Sequence, residues 1–144
     1  MTRPANDPDR FTPFSHWLRA LPAPLDSASV SNQNLDYVWH NYRQSWFITI
    51  EEKCYGASVS AAQSDTHNIV RQLCEYGSGQ EIETMRGKRK VEYRGHYVVR
   101  FEQTTPDDSR WITVNDEQAD KESLLDLLRT GTHVQPARFG HTGR

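Results

Sequence analysis

The chain has 144 residues, 35% hydrophobic and 25% charged, which is the make-up of one soluble globular domain. No apolar run approaches the roughly 18 residues of a membrane-spanning helix, and residues 1–7 lack the apolar core of a secretory leader. Two cysteines, Cys54 and Cys74, fit reduced thiols in a cytoplasm, and a formal charge of −2 excludes a globally basic nucleic-acid binder, so a polyanion has to be met by a local patch or through metal ions.

Residues 1–13, with several prolines and few apolar anchors, read as a disordered arm. Phe14, Trp17, Leu18 and Leu21 recur at helical spacing until Pro22 and Pro24 stop the helix. From Leu35 the pattern turns to strands: Leu35 to His40, a polar turn over Asn41 to Ser45, then Trp46 to Lys53, together an antiparallel hairpin. Ser60 is the N-cap of a helix carrying Ala62, Ile69, Val70 and Leu73, and Gly77 ends it. Four short strands follow, at Glu81 to Arg86, Lys90 to Tyr93, His96 to Glu102 and Arg110 to Val114, broken at Gly87, Gly95 and the Thr105-Pro106-Asp107-Asp108 turn. Asp120, or the Asn115-Asp116 pair before it, caps a last helix with Leu124, Leu125, Leu127 and Leu128, closed by Gly131. Residues 132–144 read as a flexible tail. This order predicts a small single α/β (α+β) domain over residues 14–131, with a mixed central sheet of about five strands flanked by helices.

The chemistry concentrates in the first hairpin. On the second strand Phe47, Thr49, Glu51 and Lys53 share one face, and Trp46, Ile48, Ile50 and Glu52 the other. A four-residue turn pairs Asn41 with Trp46, and that register sets Asp36 opposite Glu51 with Cβ atoms about 5 Å apart. Like charges so placed repel, and a divalent cation offsets the repulsion most directly; oxygen ligands favour magnesium or manganese. Lys53 beside the pair supplies a positive charge for a water or a phosphate oxygen, a composition suited to metal-assisted phosphodiester hydrolysis.

Asp36, the Glu51-Glu52-Lys53 triplet and the stretch from Gly56 to His67, with Ser60-Ala61-Ala62-Gln63 at its centre, resemble the PD-(D/E)XK nuclease superfamily, and within it the VRR-NUC and Holliday junction resolvase-like branch. The likeness covers about a third of the chain, and Asn34-Leu35 stands where the motif has its proline. It implies a restriction-endonuclease-like fold and a metal-dependent nuclease acting on DNA, of the kind used in phage or mobile-element DNA processing. It also implies Asp36 and Glu51 as metal ligands with the backbone carbonyl of Glu52 as a third, Lys53 as the water-positioning residue, and Gln63 orienting the lysine, the water or a phosphate. A domain of this size commonly cuts two strands as a dimer, so a homodimer is an expected partner arrangement.

Arg86, Lys88, Arg89 and Lys90, around Gly87, form a basic hairpin tip that is expected to grip a phosphate backbone near the metals; the bland alternative is a solvated turn guarding a sheet edge. His67 shares a helix face with Gln63 and reads either as an approach to the site or as a structural histidine. His40 and His96 have no partner at metal-ligand spacing, and the two cysteines do not make a zinc site. The rival readings are a non-catalytic nucleic-acid- or protein-binding module on the same fold, and a small virion or assembly protein.

Overall fold

The structure, a computed structural model, describes residues 12–26 and 28–134. The chain divides into two compact units, Met1–Asn34 and Leu35–Arg144. Most of the arm and tail expected at residues 1–13 and 132–144 lies outside the described residues. In the first unit, helix α1 (Pro13–Arg19) starts one residue earlier than expected, because the Thr12 hydroxyl caps the Ser15 N–H and Pro13 fills the first turn. Phe14 and Trp17 stack on each other with ring centroids 5.7 Å apart.

The second unit is a mixed α/β domain built on a five-stranded sheet. In order along the chain it contains β1 (Tyr37–Asn41), β2 (Trp46–Lys53), α2 (Ala61–Gly77), β3 (Glu81–Thr84), β4 (Gly87–Lys90), β5 (Glu92–Phe101), β6 (Ile112–Val114), β7 (Glu117–Ala119) and α3 (Lys121–Thr130). The sheet order is β1-β2-β5-β6-β7, parallel between β2 and β5 and antiparallel elsewhere, while β3 and β4 pair in a separate two-stranded sheet. The expected hairpin register holds, with Asn41 opposite Trp46 and Tyr37 opposite Ile50. Its turn is set by the Asn41 side chain, which accepts the Gln44 N–H at 2.9 Å, and by Ser45 at φ 62°.

β2 is central and covered on both faces. Trp46, Ile48 and Ile50 join Val99, Phe101, Ile112, Val114, Ala119, Leu124 and Leu127 in the apolar core under α3. On its other face Thr49 and Glu51 are buried under α2, which links β2 to the parallel β5.

Two strand expectations are corrected. Gly95 does not end a strand: β5 runs through it as a bulge, Gly95 taking φ 118°, so that Phe47 pairs with Tyr93 but Thr49 with His96. Asn115-Asp116 is not a helix cap but a tight turn with both residues at positive φ, joining β6 to a seventh strand; Asp120 is the cap, its carboxylate accepting the Ser123 N–H at 2.8 Å. Among the described residues no helix is long and apolar enough to cross a membrane.

Candidate active site

The constellation forms where the end of β2 meets the start of α2. The Ser60 hydroxyl accepts the Gln63 N–H at 3.1 Å, and the Gln63 side-chain oxygen accepts the Ser60 N–H at 3.3 Å, a capping box that fixes the helix start. The same oxygen accepts from Lys53 Nζ at 2.9 Å, while Gln63 Nε2 donates to Glu51 Oε2 at 3.2 Å. Lys53 Nζ lies 3.4 Å from that carboxylate oxygen. One amide therefore spans the lysine and the acid and ties both to the helix.

Glu51 is 1% exposed, and its second oxygen, Oε1, is buried without a hydrogen-bond partner among the described residues. An orphaned buried carboxylate oxygen is costly. Burial raises its pKa, the neighbouring Asp36 carboxylate raises it further, and Lys53 and His67 pull it down. Asp36 lies one residue outside the ladder, which stops at Tyr37 and Ile50. Its carboxylate turns to accept the Glu52 N–H at 2.8 Å and so stays beside Glu51. The Glu52 side chain is on the opposite face, where the Tyr37 hydroxyl donates to it at 3.4 Å. Burial and then Asp36 raise the Glu52 pKa.

Among the described residues no group of three or more His, Cys, Asp or Glu side chains is gathered to hold a metal ion. The donor set is therefore two carboxylates, of which one has an unused buried oxygen, plus backbone. That chemistry fits a hard cation bound through oxygen and completed by water or substrate, the habit of magnesium, and does not fit a closed protein cage.

The basic residues do not join this cluster. Arg89 donates to the Tyr42 carbonyl at 2.8 Å, the Arg86 guanidinium lies 4.3 Å over the Tyr42 ring, and the Lys90 carbonyl accepts from Ser45. These contacts fasten the β3–β4 hairpin to the turn before β2, whereas Lys53 ends β2. The strand has eight residues, so its ends are about 23 Å apart at about 3.3 Å per residue. The reason is topological: to start β5 parallel to β2, the chain must return to the end where β2 began, and the hairpin is carried there. Lys88 pairs with Glu83 across that hairpin.

Sequence reasoning gave His96 no role, yet the bulge sets it against Thr49, whose hydroxyl lies 2.8 Å from His96 Nδ1 and 2.9 Å from the Tyr93 hydroxyl. His67, 4% exposed, stands with its ring 5.0 Å from that of His96 and close enough to Glu51 to favour the carboxylate. The available signal was Gly95 inside an apolar strand pattern, which marks a bulge as readily as a break. Compared with known proteins, the chain matches no family model, no curated protein and no solved structure at a significant level.

Proposed function

We propose that this chain is a metal-dependent nuclease of the PD-(D/E)XK type that hydrolyses phosphodiester bonds in DNA. The observation that carries the reading is Glu51: a carboxylate buried at the end of a central strand, one oxygen shared by Lys53 and Gln63, the other without a partner, with Asp36 alongside. No packing need explains an acid at that point, since burial and Asp36 both oppose its charge.

In this reading Asp36 and Glu51, with the Glu52 carbonyl, hold magnesium or manganese. Such an ion, when bound, supplies positive charge to a phosphoryl oxygen and acidity to water. Lys53, held by Gln63 Oε1 and Glu51, keeps its ammonium at the mouth of the site, where it orients the attacking water and offsets the charge that grows on the phosphorane-like transition state. Gln63 prevents the ammonium from collapsing fully onto Glu51, because its amide satisfies both groups. The basic hairpin stands far enough along the sheet to hold a duplex away from the cut, and a cut in both strands calls for two copies.

The test is incubation of the purified chain with branched, linear and single-stranded DNA and manganese. Cleavage by the wild type and its loss in Lys53→Ala are expected; intact DNA with both ends the proposal. The non-catalytic module draws on the distance between the basic hairpin and the acid pair, and it predicts that DNA is bound equally by wild type and Lys53→Ala and cut by neither.

A further inference from the structure

A cleft of about 440 Å³ lies between α2 and β5 on the face that carries Glu51, within the size range of small-ligand sites. Its strand wall holds Val98 and Arg100, the ladder neighbours of Glu51 and Lys53, and its helix wall holds Asn68 and Arg71. The Asn115-Asp116 turn closes one side.

The two cations are positioned in advance. Arg100 donates from Nε to the Ala57 carbonyl at 3.0 Å and from Nη2 to the Gly56 carbonyl at 2.8 Å. Carbonyls orient a guanidinium without neutralising it. Its acidic neighbour is Asp116, 3.6 Å away on a side chain 88% exposed, and Arg71 is paired with Glu75, whose side chain is 52% exposed. Exposed pairs of this sort are worth little and give way to a better-placed anion.

The wall also carries His96. The Thr49 hydroxyl lies between the Tyr93 hydroxyl and His96 Nδ1 and fixes the plane of the ring. Burial first, then His67 and Arg71, hold the imidazole neutral, its pKa pushed down to about 4. His96 Nε2 is buried without a hydrogen-bond partner among the described residues. The cleft thus holds two guanidiniums and a neutral imidazole.

We infer that this cleft binds the phosphate of a nucleotide, with Arg71 and Arg100 as its cations and the neutral imidazole of His96 in its wall. The space exceeds a phosphate and leaves room for the sugar and base. The choice of a nucleotide rests on the nuclease reading, because the cleft adjoins the strand assigned to cleavage. A strand terminus and a mononucleotide share this chemistry.

Direct binding without metal separates the two proposals. Protein in chelator is titrated with a 5′-phosphorylated hexanucleotide, a 3′-phosphorylated one, the unphosphorylated hexamer and deoxyadenosine 5′-monophosphate, followed by calorimetry and by the imidazole nitrogen resonances of His96. At least tenfold tighter binding of a phosphorylated hexamer is expected, with a shift of the His96 imidazole nitrogen resonances. Binding of the monophosphate as well extends the assignment to the free nucleotide. Arg71→Ala and Arg100→Ala should each reduce the preference about tenfold, while Asp36→Asn and Lys53→Ala retain it. Arg100 also ties down the 56–57 loop, so Arg71→Ala, on a partly exposed helix side chain, keeps the test clean. Equal affinity for phosphorylated and unphosphorylated hexamers, or a preference that survives Arg71→Ala and a folded Arg100→Ala, overturns the inference. A protein that cleaves DNA yet shows no such preference loses the cleft and keeps the nuclease reading; one that shows the preference yet cleaves nothing keeps the cleft.

Discussion

Glu51 is the residue at which stability and the proposed function pull apart. Its carboxylate is buried, repelled by Asp36 and left with an unused oxygen, so the fold carries it at a cost. Glu51→Gln should raise the melting temperature of the metal-free protein, by an amount equivalent to roughly 0.5–2 kcal/mol. In the wild type, magnesium should raise the melting temperature by mass action, and this increment should vanish in Glu51→Gln and Asp36→Asn. Calorimetry with and without magnesium reads both effects. A second prediction follows from His96. Its folded pKa of about 4 lies below its ordinary value of 6.5, so between those values the unfolded chain binds more protons. This contribution to stability is full above pH 6.5 and falls as pH drops toward 4, the partial solvent access of the ring keeping the loss to about 2 kcal/mol. Denaturant melts across that range should show the decline, and His96→Gln should flatten it.

At the scale of elements, β2 and the first turn of α2 were legible because each obeys a local rule. Alternation assigned the faces of β2, turn length fixed the β1–β2 register, and Ser60 with Gln63 marked the helix start. Asp36, Glu51, Lys53 and Gln63 come together for those reasons. The break read at Gly95 failed because a glycine in a strand has two meanings, and the choice depends on what the strand packs against. There, the extra residue moves His96, Val98 and Arg100 onto the α2 face while Val99 and Phe101 stay in the core. Gly95→Ala should cost about 1–3 kcal/mol, since φ 118° is strained for alanine and its Cβ would stand 3.3 Å from the Tyr97 ring. The same variant should weaken nucleotide binding, which titration would report. On the β3–β4 hairpin, Arg89 is bound to the Tyr42 carbonyl and Arg86 rests on the Tyr42 ring, while Arg86 and Lys88 both remain exposed. Replacing Arg86 and Lys88 by alanine should weaken DNA binding and flatten its salt dependence by about two units of slope, with little change in the rate of the bound complex; a salt titration of affinity checks this.

For the molecule as a whole, the sheet order decides what can share a site. Bringing β5 parallel to β2 through α2 buries β2 on both faces and sets the triplet at one end of the strand, while the same crossover carries the basic hairpin to the other. The sequence by itself determined the mixed α/β class, the first hairpin with its register, the capped helix and the grouping of Asp36, Glu51, Lys53 and Gln63. Period, turn length and capping act over a few residues, and the chain records them directly. Only the tertiary structure decided that Glu51 is buried with an unsatisfied oxygen, that the basic hairpin stands apart from it, and that a bulge turns His96 and Arg100 toward a cleft. Those features arise from pairing between β2 and β5, segments joined through a helix and a hairpin, and pairing at that separation is settled by packing on both faces of the sheet.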